Sequence, residues 1–175
     1  MTAVALLAGA VPAGAVGNGS GGSTEARIVK GPDEVLLPVV GRFAGSTVVS
    51  STCGREVVYE DGVPVDAASP IDVVLDPGHG GPETGSVGAN GLVERDLNLI
   101  VAFHTKLALE EMGHTVALTR RRDLHMPIRQ RTAIARALDP RAFVSIHHNG
   151  GAVKRSKMPG TEAFHQIDVP ESQRL

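Results

Sequence analysis

The sequence predicts an α/β fold: a mostly parallel central sheet flanked by helices, with a short amino-terminal β extension. Three observations predict it. From Pro70 onward, apolar runs of strand length alternate with amphipathic stretches of helical length, the pattern of strand–helix–strand units with right-handed crossovers. Two of those strands run into histidine-bearing segments, DPGHGG at 76–81 and SIHHN at 145–149, and open parallel sheets gather ligands beyond the carboxyl ends of their strands. Residues 26–69, by contrast, are short β-branched runs broken by turn residues, with no helical period.

Residues 1–16, MTAVALLAGAVPAGAV, are too short to span a bilayer, which takes ~20 apolar residues. They read as a signal peptide or an apolar tail. Small-residue cleavage patterns occur at Ala8-Gly9-Ala10 and Ala13-Gly14-Ala15, although no Lys or Arg precedes the apolar run. The expectation is an exported protein. Residues 17–25 are a Gly/Ser-rich flexible linker. Within the 26–69 extension, Val35–Val40 and Thr47–Ser50 read as strands. Asp61-Gly62 inside Val57–Val65 is a two-residue hairpin signal, and Pro64 pushes one arm to an edge. The extension is expected to be a β-hairpin that covers an edge of the main sheet.

The 70–175 domain opens with a buried strand at Ile71–Leu75. A helix follows over Glu94–Met112, in which Leu97, Ile100, Val101, His104, Leu107, Ala108 and Met112 recur at helical spacing, closed by Gly113. Thr115–Thr119 is a second strand. Pro127–Leu138 is a second helix, opened by proline, with Ile128, Ile134, Ala135 and Leu138 on one side. Ala142–Ile146 and Thr161–Ile167 complete the strands.

Composition narrows the function. A net charge of −2 marks no nucleic-acid or polybasic membrane surface, and aromatics are only 3% of the 175 residues, so stacking platforms are few. The glycine-rich loop after His79 has neither the spacing nor the Lys-Ser/Thr ending of a phosphate-binding loop, which argues against a nucleotide. Cys53 is the lone cysteine. It reads as a free thiol, one half of a bridge, or a small buried hydrophobe.

The chemistry points to His79, Glu94 and His147. Catalytic zinc favours three protein ligands of these types plus a water. Glycines at 78, 80 and 81 permit a tight turn that can aim His79. Glu94 alone would read as a first-turn acid complementing the helix dipole, but Asp96 competes for that role. Along the extended SIHHN segment, Ser145, His147 and Asn149 face one way, Ile146 and His148 the other. With Ile146 toward the core, His147 is the better ligand. His148 is left as a ligand support, a substrate contact or a structural residue. His104 reads as packed on the helix stripe, His114 as a surface turn residue, and His125 and His165 as loop or strand-end residues.

In these landmarks the chain resembles the zinc-dependent N-acetylmuramoyl-L-alanine amidases of bacterial cell walls. They occur in order: VVLDPGHGG at 73–81, GLVERDLNL at 91–99, TVALTR at 115–120 with Asp123, Ile128 followed by Arg131, and AFVSIHHN at 142–149. The resemblance implies a phosphorylase/hydrolase-like sheet and one zinc ion per chain, held by His79, Glu94 and His147. It also implies hydrolysis of the amide joining N-acetylmuramic acid to L-alanine, with peptidoglycan or muropeptide as the partner in the cell envelope, periplasm or medium. A monomer is expected. The family usually has Ala at the position of His148, so His148 and Asn149 are assigned a substrate contact. The general base of the family is a late-strand glutamate with no match up to Leu175, so the domain is expected to be incomplete at its carboxyl end. Glu162 falls on an ordinary strand position, and Glu83 is the remaining carboxylate near the glycine loop. The other expectation is a non-catalytic zinc-containing domain that binds or regulates at peptidoglycan.

Overall fold

The computed structural model describes residues 3–9, 27–31, 34–59, 63–64, 70–150 and 160–165. In chain order the elements are β1 (Ala3–Gly9), β2 (Ile28–Lys30), β3 (Leu36–Phe43), β4 (Ser46–Ser50), β5 (Glu56–Tyr59), β6 (Val63–Pro64), β7 (Val73–Pro77), α1 (Glu94–Glu111), β8 (Val116–Leu118), α2 (Ile128–Leu138), β9 (Ala142–Asn149) and β10 (Thr161–His165). The linker expected at 17–25 lies outside the described residues, as do Gln166 and Ile167 of the expected last strand.

The fold is α/β, as the alternating pattern predicts. The central sheet has the order β10-β1-β9-β7-β8. β7 pairs in parallel with both β8 and β9, and its consecutive residues from Val74 to Pro77 are buried, as in a strand covered on both faces. The β7–β9 register sets Asp76 opposite Ser145 and Pro77 opposite Ile146. That alignment brings the turn after β7 and the last residues of β9 to the same rim. The far side of β9 is paired, antiparallel, by β1, from Ala3 opposite Asn149 to Gly9 opposite Phe143. The segment read from sequence as a leader or tail therefore appears as a strand, and β10 attaches in parallel to its other side.

α1 packs on one face of the sheet. Fully buried Ala102 lies against Leu75, Leu118 and Ile146. The buried stripe differs from the one apolar spacing predicts. It runs through Glu94, Asn98 and Ala102, while His104 is exposed and Ile100, Leu107 and Met112 stand at least half in solvent. Two polar residues head the inward face, so counting only apolar residues rotates the stripe. The helix ends in a Schellman motif: Gly113, at φ 90°, donates its N–H to Glu110 O, and His114 donates to Leu109 O. α2 buries Ile134 and Ala135, as expected, but leaves Ile128 exposed and buries Gln130 and Arg131 instead.

The extension corrects two expectations. It is a five-stranded antiparallel sheet of order β5-β4-β3-β2-β6, not a single hairpin. β5 and β6 occupy opposite edges, so Asp61-Gly62 does not join paired strands. The tight turn is Ala44-Gly45 between β3 and β4, with φ of 49° and 87°, the doubly positive geometry of a two-residue hairpin. Pro64 does sit in an edge strand, as expected. The second correction concerns docking. This sheet covers α2 and not an edge of the central sheet. Ile28 and Leu36 close a core with Met126 and Ile134. Ser50 Oγ donates to Gln130 Oε1 (2.7 Å), Gln130 Nε2 donates back to Ser50 O (2.9 Å), and Arg121 pairs with Glu34. Cys53 is exposed, which removes the buried-hydrophobe reading. The Ser51 hydroxyl beside it and then Arg55 lower its thiol pKa.

Candidate metal centre

The turn after β7 holds His79 in a left-handed conformation, φ 63°, which disfavours residues other than glycine. Two buried arginines hold it there. Arg120 Nε and Arg131 Nη1 donate to Pro77 O (2.9 and 2.7 Å), Arg120 Nη2 to Gly78 O (3.0 Å), and Arg131 Nη2 to His79 O (2.7 Å). Three successive carbonyls thus receive charge-assisted bonds. Arg131 is balanced by Asp76 at 2.8 Å, and the Asp76 carboxylate also accepts from Thr119 Oγ1 (2.5 Å) and Ser145 Oγ (2.9 Å). Burial, then the neighbouring Arg131 charge, brings Arg120 down to about 10, so it stays cationic at neutral pH. On the outer side of the turn, Gly81 N donates to Asp123 Oδ1 (2.6 Å).

Glu94 opens α1 and points inward, only 4% exposed. Asp96, more than half exposed, is the first-turn acid at the surface. Ser86 N donates to Glu94 Oε2 (2.8 Å), while Oε1 accepts from His148 N (3.1 Å) and lies 3.1 Å from His79 Nε2 and 3.0 Å from His147 Nδ1. Burial alone would raise the Glu94 pKa. Bonds from Ser86, His147 and His148, with His79 alongside, more than offset it and hold the carboxyl below its usual value. The two imidazoles meet edge to face, centroids 4.7 Å apart.

The geometry fits a tetrahedral metal. One ligand atom from each of His79, Glu94 and His147 lies within 4.8 Å of the others. Bonds of ~2.0–2.1 Å would separate neighbouring donors by about 3.3 Å, close to the 3.0 and 3.1 Å between Glu94 Oε1 and the two ring nitrogens. Two glycines make room for this set. A Cβ on Gly78 would stand 2.2 Å from the His147 ring, and one on Gly85 2.5 Å from His79 and 2.7 Å from Glu94.

The two adjacent histidines part company. His147 joins Glu94, whereas His148 turns to the α1 face and is 7% exposed, its Nδ1 2.7 Å from Asn98 Oδ1. Burial, then the His147 charge, lowers its pKa against the opposing pull of Glu94. The expected substrate contact by His148 is therefore corrected: the strand alternation that aims His147 at Glu94 sends His148 into the protein. Asn149 is exposed and bonds Glu162 at 3.3 Å. Glu83, 59% exposed, lies 3.9 Å from His125, and His114 lies 3.9 Å from Asp72. Neither these nor His104 and His165 join the convergent set. Asn98, Arg120 and Arg131 were not singled out as site residues from sequence. The i, i+4 spacing of Asn98 to Glu94 was the available signal for the first.

Residues 73–175, well over half of the chain, match the family described as N-acetylmuramoyl-L-alanine amidase. The chain belongs to that family. Among its relatives, the uncharacterized protein YqiI of Bacillus subtilis is 42% identical over 105 residues, which cover 58% of this chain and 49% of YqiI. The N-acetylmuramoyl-L-alanine amidase AmiC of Neisseria meningitidis is 43% identical over 75 residues, 43% of this chain and 18% of that protein. The solved structure of AmiC2 from Nostoc punctiforme is 37% identical, with TM-score 0.47, covering 49% of this chain and 48% of that one. The chain spans about half the length, or less, of the curated relatives it matches.

Proposed function

We propose that this protein is a zinc-dependent hydrolase that cleaves the amide between N-acetylmuramic acid and L-alanine in peptidoglycan. The observation that carries the reading is the convergence of His79, Glu94 and His147 within a chain of the amidase family. These three residues would hold the zinc, which, when bound, acts as a Lewis acid toward the scissile carbonyl and lowers the pKa of a water to ~7.

The chain's own residues prepare that site. Ser86 N and His148 N each fix one oxygen of Glu94, so the carboxylate is oriented and anionic before any metal arrives. Arg120 and Arg131 fix the backbone from which His79 projects. Among the described residues Glu94 is the one carboxylate in the convergent set, and it is committed to the two histidines. A general base would be a carboxylate other than Glu94. Division into a 26–69 extension and an amidase domain from residue 70, action as a monomer, and export to the cell envelope belong to the same reading. No described helix is long and apolar enough to cross a membrane.

A second reading is a zinc-containing domain that binds or regulates at peptidoglycan without cleaving it. Mass spectrometry of muropeptides incubated with the chain and zinc, against a chelated control, decides between them. Zinc-dependent release of stem peptide with L-alanine at its amino terminus is the expected result. Cleavage inside the stem peptide refutes the amidase reading. Intact muropeptides with zinc still bound select the binding domain.

A further inference from the structure

The three ligand-bearing segments are far apart in sequence, yet one buried side chain touches all three. Asn98 is fully buried and lies one helical turn beyond Glu94 on α1. Its Nδ2 donates to Gly78 O at 3.0 Å, one residue before His79. Its Oδ1 lies 2.7 Å from Nδ1 of His148, one residue after His147. The backbone N–H of His148 closes the circuit by donating to Glu94 Oε1 at 3.1 Å.

The hydrogen-bond polarity of this circuit is determined. A carbonyl only accepts, so Gly78 O fixes which end of the Asn98 amide faces it. The opposite end is then an oxygen, and His148 must present Nδ1–H to it. Every position in the circuit has one chemically permitted orientation. The spacing of the carriers is therefore set by directional bonds, where apolar packing alone would allow sliding. The ring of His147 already crowds Gly78, since a Cβ there would stand 2.2 Å away, so a small slip between these segments moves a ligand atom.

We infer that Asn98 and His148 form a positioning pair that locks the segments bearing His79, Glu94 and His147 into metal-binding register. The inference rests on the metal reading above. It gives His148 a function that neither ligation nor substrate contact supplies. Outer partners of metal ligands typically account for about 10–100-fold in metal affinity, and that is the expected effect here.

The test is zinc affinity of the full chain by competition with a chromophoric chelator, together with the visible spectrum of the Co2+-loaded protein. Asn98→Leu and His148→Leu should each weaken zinc about 10–100-fold and alter the Co2+ spectrum. The double variant should be no weaker than the worse single. His148→Gln, which restores an N–H toward Asn98, should recover most of the affinity. Ile134→Val, which loosens a buried core residue between α2 and the extension, serves as a control and should lower thermal stability without moving zinc affinity. Unchanged zinc affinity in folded Asn98→Leu and His148→Leu overturns the inference, as does an equal loss in Ile134→Val. If Asn98→Leu does not fold, His148→Leu against His148→Gln decides alone. An unmodified chain that fails to bind zinc, or a His79→Ala variant that binds it normally, overturns the metal reading itself and the pair with it.

Discussion

Replacing Arg131 with methionine isolates the buried charge beneath the metal centre. The Arg131 and Asp76 side chains are 7% and 6% exposed and 2.8 Å apart, so neither ion can be rehydrated in place. Removing one partner of a buried pair costs about 3–5 kcal/mol, chiefly because the other charge is stranded. Some losses are cushioned. Asp76 keeps its bonds from Thr119 and Ser145, and Pro77 O keeps Arg120. The carbonyls of His79 and Met126 lose the Arg131 bonds that hold them. For a chain of this length each kcal/mol moves Tm by ~2–4 °C, which gives a fall of roughly 6–20 °C in Arg131→Met. Circular dichroism melts in chelator would measure it without a contribution from metal. The stranded charge makes a second demand. Asp76→Asn combined with Arg131→Met should be less destabilised than the sum of the single variants, by about 1–3 kcal/mol. A Tm loss in Arg131→Met of under ~2 °C, less than one kcal/mol, refutes the reasoning. Simple additivity in the double variant refutes the stranded-charge explanation.

Three further outcomes are expected. By elemental analysis, His79→Ala and His147→Ala should each lose stoichiometric zinc while His104→Ala retains it, since only the first two side chains reach Glu94. Gly78→Ala should abolish zinc binding while the chain stays folded, because the new methyl must displace the His147 ring; a normal zinc stoichiometry would show that the ring moves freely. Glu94 is held below its ordinary value of 4.5 in the fold. Its stabilising contribution is therefore complete above pH 4.5 and lost as pH falls through the lowered native value. Acid unfolding of the metal-free chain should be less steep in Glu94→Gln across that window, and superimposable acid transitions would count against the assignment.

The site was more legible in the sequence than the scaffold that supports it. His79 and His147 stand where strands end, and alternation along SIHHN separates His147 from His148 without any structure. The helix stripe was misread because Glu94 and Asn98 lead its buried face, and periodicity counted on apolar residues alone rotates past them. Arg120 and Arg131 stood among the family landmarks but carried no assigned role, because arginine is ordinarily a surface residue. Nothing local announces that two of them will cap three successive carbonyls from elements more than forty positions downstream. The hairpin was misplaced for a conformational reason. Asp-Gly is the stronger turn signal, yet Ala44 accepts a positive φ where β3 and β4 need it. The docking of the extension on α2 depends on pairs such as Ser50 with Gln130, eighty residues apart, and sequence patterns carry no information at that range.

β1 has a consequence for the chain's history. Among the described strands β10 has β1 as its sole neighbour, and β1 also seals one side of β9 along seven paired residues. An export peptidase cutting after Ala10 or Ala15 would carry off the whole of β1. β9 would then present a bare hydrogen-bonding edge beside His147, open to any strand that arrives, β10 included. Cleaved leader and sheet strand are thus mutually exclusive destinies for one peptide: maturation and sheet completion draw on the same seven residues.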